Sequence, residues 1–427
     1  MFLNNRKKYF EKVEKNSISL FYSGKSFPRT ADQDFDFEVD KNFFYLTGIS
    51  QENVILMLLK EENNQKAILF IEENDPVLVK WVGKKLEKAE ATAISGITDV
   101  MYISQFERML FLHLNPSRVA FAQFDKLYLN LERRNDPSYT NWALKFAQDI
   151  KVKYPEIQIL NSYNIVIGLR MFKCQEEVDR IQASIDVTKT GIESLMLNSK
   201  PGMYEYQLEN YFDFHLKQNN QRTVSFKTIC ASGINATILH YVDNNAILND
   251  NELILFDLGC RANDYYISDI SRTFPINGKF TARQKDVYEA VLNVNKKCIE
   301  FLKPGITWVE FNKYATNLLA EACINLGLIT DKKDITKYYW HSIGHNIGLD
   351  THDPSLPHIP LSEGMVITVE PGLYIEEEKI GVRIEDNVLI TKDGAKNLSA
   401  DIIKEVADIE KFMANYCNFV FVFTSIK

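Results

Sequence analysis

Five residues in the C-terminal half of the chain have the types and surroundings for metal chemistry. They are Asp257 in LFDLGC, Asp269 in SDISRTFP, His345 in HSIGHNIGLD, Glu370 in TVEPGLY and Glu385 in VRIEDNV. Each falls at the expected end of a strand or at a tight turn, inside a stretch rich in β-branched residues. Hard divalent cations take oxygen ligands, and a two-metal hydrolytic centre uses carboxylates that can bridge both ions. Four carboxylates bring four negative charges, which two divalent ions neutralise. Without cations the cluster would repel itself and hold protons at raised pKa. A single acidic residue in such a place reads as a cap or turn residue, but four of them with a histidine between do not. The set predicts a dinuclear metal site.

The histidines agree with this. The chain has seven, and four fall in short motifs: His240 in ILHY, then His341, His345 and His352 in HSIGHNIGLDTHD. His345 is the predicted ligand, because glycines at 344 and 348 let backbone and metal approach closely. His240 and His352 are expected to face the substrate and stabilise a developing oxyanion, with His341 as a supporting hydrogen-bond partner. His113, His215 and His358 have no motif around them and read as structural or surface residues. The six cysteines are scattered without a CxxC pair, as in the reduced core of a cytosolic protein. Cys260 reads as a small core residue beside the site.

Elements must position these groups. At 427 residues the chain suggests two domains, with a division near residues 160–175. Before it, strand-like runs (VILMLLK, KAILFIEE, SRVAFAQF) alternate with helical stretches, predicting an α/β domain over residues 1–165. From Cys174 to Lys200, Val178, Ile181, Ile185, Ile192 and Leu195 form the stripe of an amphipathic helix. It ends at Lys200-Pro201-Gly202, and a second helical pattern follows from Tyr204 to Lys217. The arrangement recurs: Ala282 to Leu302, then Lys303-Pro304-Gly305, then Trp308 to Leu326. Each helix pair precedes a hairpin carrying two of the carboxylates. The expected class is therefore α+β, with a duplicated helix–helix–hairpin unit over 172–412 and the site between its halves.

In the first hairpin Asp257 closes an apolar strand, and Asp269 is expected to face it across the pair. In the second, Glu370 precedes Pro371-Gly372 and Glu385 lies on the partner strand beyond a turn at Glu376–Gly381. The tail over 413–427 ends in NFVFVFTSIK, a β-prone run expected to pack against the body.

Composition excludes some partners. A net charge of −8 argues against nucleic acid or an acidic membrane surface, and no apolar run approaches the length of a bilayer span. Hydrophobic content of 45% and charged content of 25% are ordinary for a soluble enzyme. The N-terminal MFLNNRKKYFEKVEKN lacks the apolar core of a signal peptide, so a cytoplasmic location is expected.

The runs FDLGC, YYISDISRTFPINGKFTARQKDVYEAV, HSIGHNIGLDTHD, GMVITVEPGLYI and GVRIEDNVLIT resemble the Xaa-Pro aminopeptidases (aminopeptidase P), metallopeptidases with a pita-bread fold. RTADQDFDFEVDKNFFYLTGI and KWVGKKLE resemble that family's N-terminal domain. The resemblance implies that Asp257, Asp269, His345, Glu370 and Glu385 bind two metal ions, usually manganese, with Asp269 and Glu385 bridging. An oxygen-rich site with one imidazole also suits Co²⁺ or Fe²⁺. His240, His352 and Arg383 match positions near the substrate, and Tyr374 follows the catalytic glutamate. Asp32 and Trp81 match residues that one subunit supplies to its neighbour, which implies a homodimer or homotetramer. One departure is visible: the loop between Asp257 and Asp269 is a residue longer than usual. Asp264 lies nearby, and the SRTFP run sets the register in favour of Asp269.

The implied reaction removes the first residue of a peptide whose second residue is proline. A hydroxide attacks the carbonyl before proline while Glu370 takes up the proton of the water. A Xaa-Pro dipeptidase shares all five ligands, and a catalytically inactive peptide-binding module of this fold would have lost some of them.

Overall fold

The computed structural model describes residues 1–115, 124–221, 223–261 and 264–414. All but the last residue of SRVAFAQF, and the whole NFVFVFTSIK tail, lie outside the described residues. The chain divides into two units, Met1–Arg170 and Met171–Lys427. Among the described residues no helix is long and apolar enough to cross a membrane.

The first unit is built on six strands: β1 (Ser17–Tyr22), β2 (Ile55–Lys60), β3 (Gln65–Ile71), β4 (Asp99–Tyr102), β5 (Lys126–Leu129) and β6 (Gln158–Asn161). They form one mixed sheet in the order β4-β3-β2-β1-β5-β6. The run of Ile55 to Leu59 is buried throughout, without alternation, because helices cover both faces. Ile18, Leu20, Met57 and Phe70 meet Phe106 and Leu110 of helix Phe106–Leu114 and Ala147 of helix Trp142–Lys153 on one side. On the other, Tyr9 of helix Phe2–Lys12 packs edge-on against Phe21 at 5.5 Å.

In the second unit helices Gln175–Asn198 and Glu205–Gln218 precede β7 (Ile229–Ser232), β8 (Leu253–Leu258) and β9 (Ile270–Pro275), an antiparallel sheet. Helices Ala282–Phe301 and Trp308–Asn325 precede β10 (Val366–Val369), β11 (Gly372–Ile375), β12 (Ile380–Arg383), β13 (Asp386–Ile390) and β14 (Ala395–Asn397). The stripe Val178, Ile181, Ile185, Ile192 and Leu195 is buried, as its spacing predicts. Thr281 and Thr307 start the second helix pair with reciprocal capping boxes to Gln284 and Glu310, which satisfy the free N–H groups of the first turn.

The duplication extends to backbone hydrogen bonds. Gly202 has φ +88° and Gly305 φ +94°, a region open to glycine. Gly202 N–H donates to Leu248 O and Leu248 N–H to Met203 O; Gly305 N–H donates to Leu361 O and Leu361 N–H to Ile306 O. The two Lys-Pro-Gly turns are thus the same structure, each clipped to the segment that leads into its hairpin.

The hairpins differ from expectation in register. Asp257 is paired directly with Ser271, so Asp269 lies two residues further along, a diagonal neighbour on the same face. The second hairpin is broken in the middle. β10 pairs with β13 and β11 pairs with β12, and Glu370-Pro371 lies opposite Ile384-Glu385 where the ladder changes sheets.

Candidate metal centre

That break concentrates the acidic groups. Val369 is the last residue of β10 and Asp386 the first of β13, so Glu370 and Glu385 leave the ladder side by side. Glu385 N–H donates to Ser271 O at 3.1 Å, joining the second hairpin to the first. Asn387 clasps the backbone of Asp269, donating through Nδ2 to its carbonyl at 2.7 Å and accepting its N–H at 3.1 Å. Arg272, fully buried, donates to Glu385 O at 2.6 Å and to Asp386 Oδ1 at 2.8 Å. Each half therefore holds the acidic backbone of the other.

One ligand atom from each of Asp269, His345 and Glu385 lies within 4.8 Å of the others. His345 Nε2 stands 3.5 Å from Asp269 Oδ2 and 3.6 Å from Glu370 Oε1. Its Nδ1 is 3.0 Å from Asn346 O, a partner that only accepts, so Nδ1 carries the proton and Nε2 presents a lone pair to the carboxylates. This is the arrangement of a metal-ligating imidazole. Thr368 Oγ1 takes the His345 N–H at 3.0 Å and donates to Glu370 Oε1 at 3.3 Å. Asp257 Oδ2 accepts from Arg383 at 2.8 Å, while its Oδ1 is buried without a hydrogen-bond partner.

Burial raises the carboxyl of Asp269 well above its ordinary range, and Asp257 and Glu370 push it further. Burial likewise raises Glu385, with Asp269 and Glu370 adding to the effect, and burial raises Glu370. Several buried carboxyls with raised pKa, a lone pair facing them and an orphaned carboxylate oxygen are what a site for divalent cations looks like before the cation's charge is counted. The donor set, oxygen-rich with one imidazole, fits the ions.

Around this cluster Arg383 is buried, and all three of its nitrogens are engaged. Nε donates to Ser271 Oγ at 2.8 Å, Nη1 to Tyr374 OH at 3.0 Å and Nη2 to Asp257 at 2.8 Å. Ser271 Oγ in turn donates to Glu385 Oε2 at 2.8 Å. His341 donates through Nδ1 to Ser342 O and accepts the Tyr374 hydroxyl at Nε2, 2.8 Å each. Burial pulls His341 down to about 4, so it stays neutral. His352 packs against His345 with ring centroids 4.1 Å apart and the planes tilted by 37°; burial lowers its pKa, and His345 and His240 lower it further. His240 is exposed on the segment after β7. A cleft of about 400 Å³ opens beside Tyr374, bordered by Ile234, Thr237, Trp340, Lys337, Glu376 and Glu377.

Asp32 and Trp81 belong to the first unit, where both are exposed. Asp32 accepts from Thr30 Oγ1 at 3.2 Å, and Trp81 is 82% exposed on the short helix Leu78–Val82. Asp264 pairs with Arg180 at 2.8 Å. Cys260 is buried, its thiol 3.1 Å from Ser184 O.

Sequence reasoning passes over Ser271, Thr368 and Asn387, which orient the acidic groups. Their signal is positional, since Ser271 and Asn387 each follow a predicted acidic residue by two and Thr368 precedes one by two, on the same strand face.

Comparison with known proteins accords with this geometry. The family model for metallopeptidase family M24 matches residues 179–392, and that for the aminopeptidase P N-terminal domain matches residues 2–120. The Xaa-Pro aminopeptidase of Haemophilus influenzae is 34% identical over 96% of this chain and 96% of its own length. A structure from Bacillus anthracis carrying the name aminopeptidase P is 45% identical, with TM-score 0.94 over 97% of this chain and 98% of that one. A zinc-substituted Escherichia coli aminopeptidase P in complex with product is 27% identical, with TM-score 0.87 over 97% and 98%.

Proposed function

The chain belongs to metallopeptidase family M24, and from that premise we propose that it is a metal-dependent aminopeptidase releasing the first residue from peptides with proline in second position. The observation that carries the reading is the broken hairpin, which gathers Glu370 and Glu385 against Asp257, Asp269 and the Nε2 lone pair of His345. These five residues, Asp257, Asp269, His345, Glu370 and Glu385, would hold two divalent ions, which we assign as Mn²⁺. Co²⁺ and Fe²⁺ fit the same donors. When bound, the ions supply Lewis-acid polarisation and a water acidified to near neutral pH.

The chain's own groups do the rest. Glu370, steadied by Thr368, takes the proton of the attacking water. His352 and His240 offer N–H groups to the developing oxyanion; the lowered pKa of His352 keeps it a neutral donor. Arg383, committed to Asp257 and Tyr374, fixes the metal-facing carboxylate and the phenol that borders the cleft. The substrate's free α-amine would bind at the metal centre, which restricts cleavage to the first bond. Proline carries no N–H, so the bond before it is read by shape, and Tyr374 supplies an aromatic wall.

Asp32 and Trp81 would act in a neighbour's site. In support, Val77, Leu78 and Val82 are exposed with Trp81 on and beside one short helix of the first unit, an apolar group of the kind that subunit contacts cover. We therefore assign a homodimer or homotetramer. The five described cysteines are free, which supports a reducing, cytoplasmic setting.

The test is hydrolysis of Xaa-Pro-Yaa tripeptides beside Xaa-Pro dipeptides, with and without added Mn²⁺. Metal-dependent release of the first residue from the tripeptide is expected. Turnover of the dipeptide alone would make the enzyme a dipeptidase. A protein that retains no divalent ion, and whose function survives Glu370→Ala, would be a binding module instead.

A further inference from the structure

Glu205 is the first residue of helix Glu205–Gln218 and is 0% exposed. A carboxylate removed from water needs donors, and this one has five. Oε1 accepts from Ser232 N–H at 2.7 Å, Ser232 Oγ at 2.7 Å and Asn235 Nδ2 at 3.1 Å. Oε2 accepts from Tyr241 OH at 2.8 Å and Ala246 N–H at 2.9 Å. The helix N-terminus favours the same negative charge.

Every one of these donors lies in a single segment, residues 232–246. That segment carries His240, beside the donor Tyr241, and it presents Ile234 and Thr237 to the cleft next to Tyr374. Beyond a short 3₁₀ turn at Gly233–Thr237 the segment up to Ala246 has no regular structure, and Ile234, Ile238 and His240 are exposed. The opposite flank is held by close packing, since a Cβ on Gly381 would meet Ala236 O at 2.0 Å. One turn along the helix, Glu209 takes Asn244 Nδ2 at 2.8 Å, extending the same grip to the far end of the segment.

We infer that Glu205 is a positioning residue for the reaction: its carboxylate, met by five donors, organises the segment that presents His240 to the metal centre. The inference rests on the reading of His240 given above. Glutamine is isosteric but turns one of the two acceptors into a donor, so it meets either the Ala246 N–H or the Ser232 N–H head-on. Neither backbone donor can rotate away.

The experiment is a double-mutant cycle on the metal-loaded, full-length protein with a Xaa-Pro-Yaa peptide, measuring kcat, KM, bound metal and melting temperature. Glu205→Gln is expected to keep its metal, because the ligands lie elsewhere, and to lower kcat by about ten- to a hundredfold, the range for ångström-scale misplacement. The double variant Glu205→Gln/His240→Ala should lose little more activity than His240→Ala alone. Multiplying losses, or an unchanged kcat in Glu205→Gln, would overturn the inference. Should Glu205→Gln fail to fold, Tyr241→Phe removes one donor only, and the same non-additivity with His240→Ala decides. If His240→Ala itself leaves kcat intact, the role given to His240 fails, a result distinguishable from additivity.

Discussion

Lys173 and Asp353 form an ion pair whose removal should be felt both in stability and at the site. Lys173 Nζ donates to Asp353 Oδ2 at 3.1 Å, and both side chains are 1% exposed. Asp353 also accepts from Asp350 N–H at 3.3 Å, while its own N–H donates to Asn346 O at 2.9 Å. The pair thus ties down the loop that runs from His345 to His352. That loop is tight, because a Cβ on Gly348 would lie 2.7 Å from Asp353 Oδ2 and 3.0 Å from Lys173 Cε.

Lys173→Met keeps most of the aliphatic stem and deletes the charge. Exposed pairs contribute about 0–1 kcal/mol, but stripping one partner from a buried pair costs about 3–5 kcal/mol, because a buried charge loses a partner it cannot replace with water. The buried range applies here, so the unfolding constant should rise by roughly two to nearly four powers of ten. Urea unfolding of wild type, Lys173→Met, Asp353→Asn and the double variant measures this. The double variant should lose clearly less than the sum of the singles, and kcat should fall in Lys173→Met because His352 precedes Asp353. A loss below about 1 kcal/mol, or simple additivity, would refute the argument.

Three further outcomes are expected. In chelator-treated protein the raised carboxyls of Asp269, Glu370 and Glu385 favour the protonated fold. Their contribution to the melting temperature should therefore be fully present below the ordinary carboxyl range of about 4 and be lost as pH rises through the raised values; added Mn²⁺ should remove the difference in pH profile from a variant with Asp269, Glu370 and Glu385 replaced by amides, and identical metal-free profiles of the two proteins would count against the site. Asp386 behaves oppositely: burial alone would raise it, but Arg272 and Lys404 hold it at about 2, so its contribution is present above about pH 4 and lost as pH falls through about 2. Asp386→Asn should cost about 3–5 kcal/mol at pH 7, with the gap to wild type narrowing towards pH 2 in urea titrations. Glu370→Gln should lower kcat by about 10²–10⁴; assays run beside metal analysis would reject the proton-acceptor role if activity tracked metal content alone.

Local patterns carried much of this into the sequence. The stripe from Val178 to Leu195 shows a helix because burial on one face repeats every third or fourth residue, and the two Lys-Pro-Gly turns mark the duplication because only such residues suit that bend. The acidic motifs were legible for the same reason, each being bounded by apolar strand residues and glycine or proline. Register was not. Asp257 faces Ser271 rather than Asp269, because strand alternation tells which residues share a face and not which two stand directly opposite. Long-range polar contacts were silent too: Lys173 and Asp353 lie 180 positions apart, and Glu205 looks like any acidic residue in a helix's first turn until five donors converge on it.

The reciprocal grip between the halves, Asn387 on the Asp269 backbone and Arg272 on the Glu385 carbonyl, has a thermodynamic consequence. Two of the acidic groups come from one repeat and two, with the imidazole, from the other, so neither repeat alone offers a finished coordination sphere. Affinity for divalent ions would therefore report how well the repeats dock, with bound ions acting as rivets through the seam. Loosening the seam at Asn387, which is no ligand, should make the protein leak metal before it unfolds.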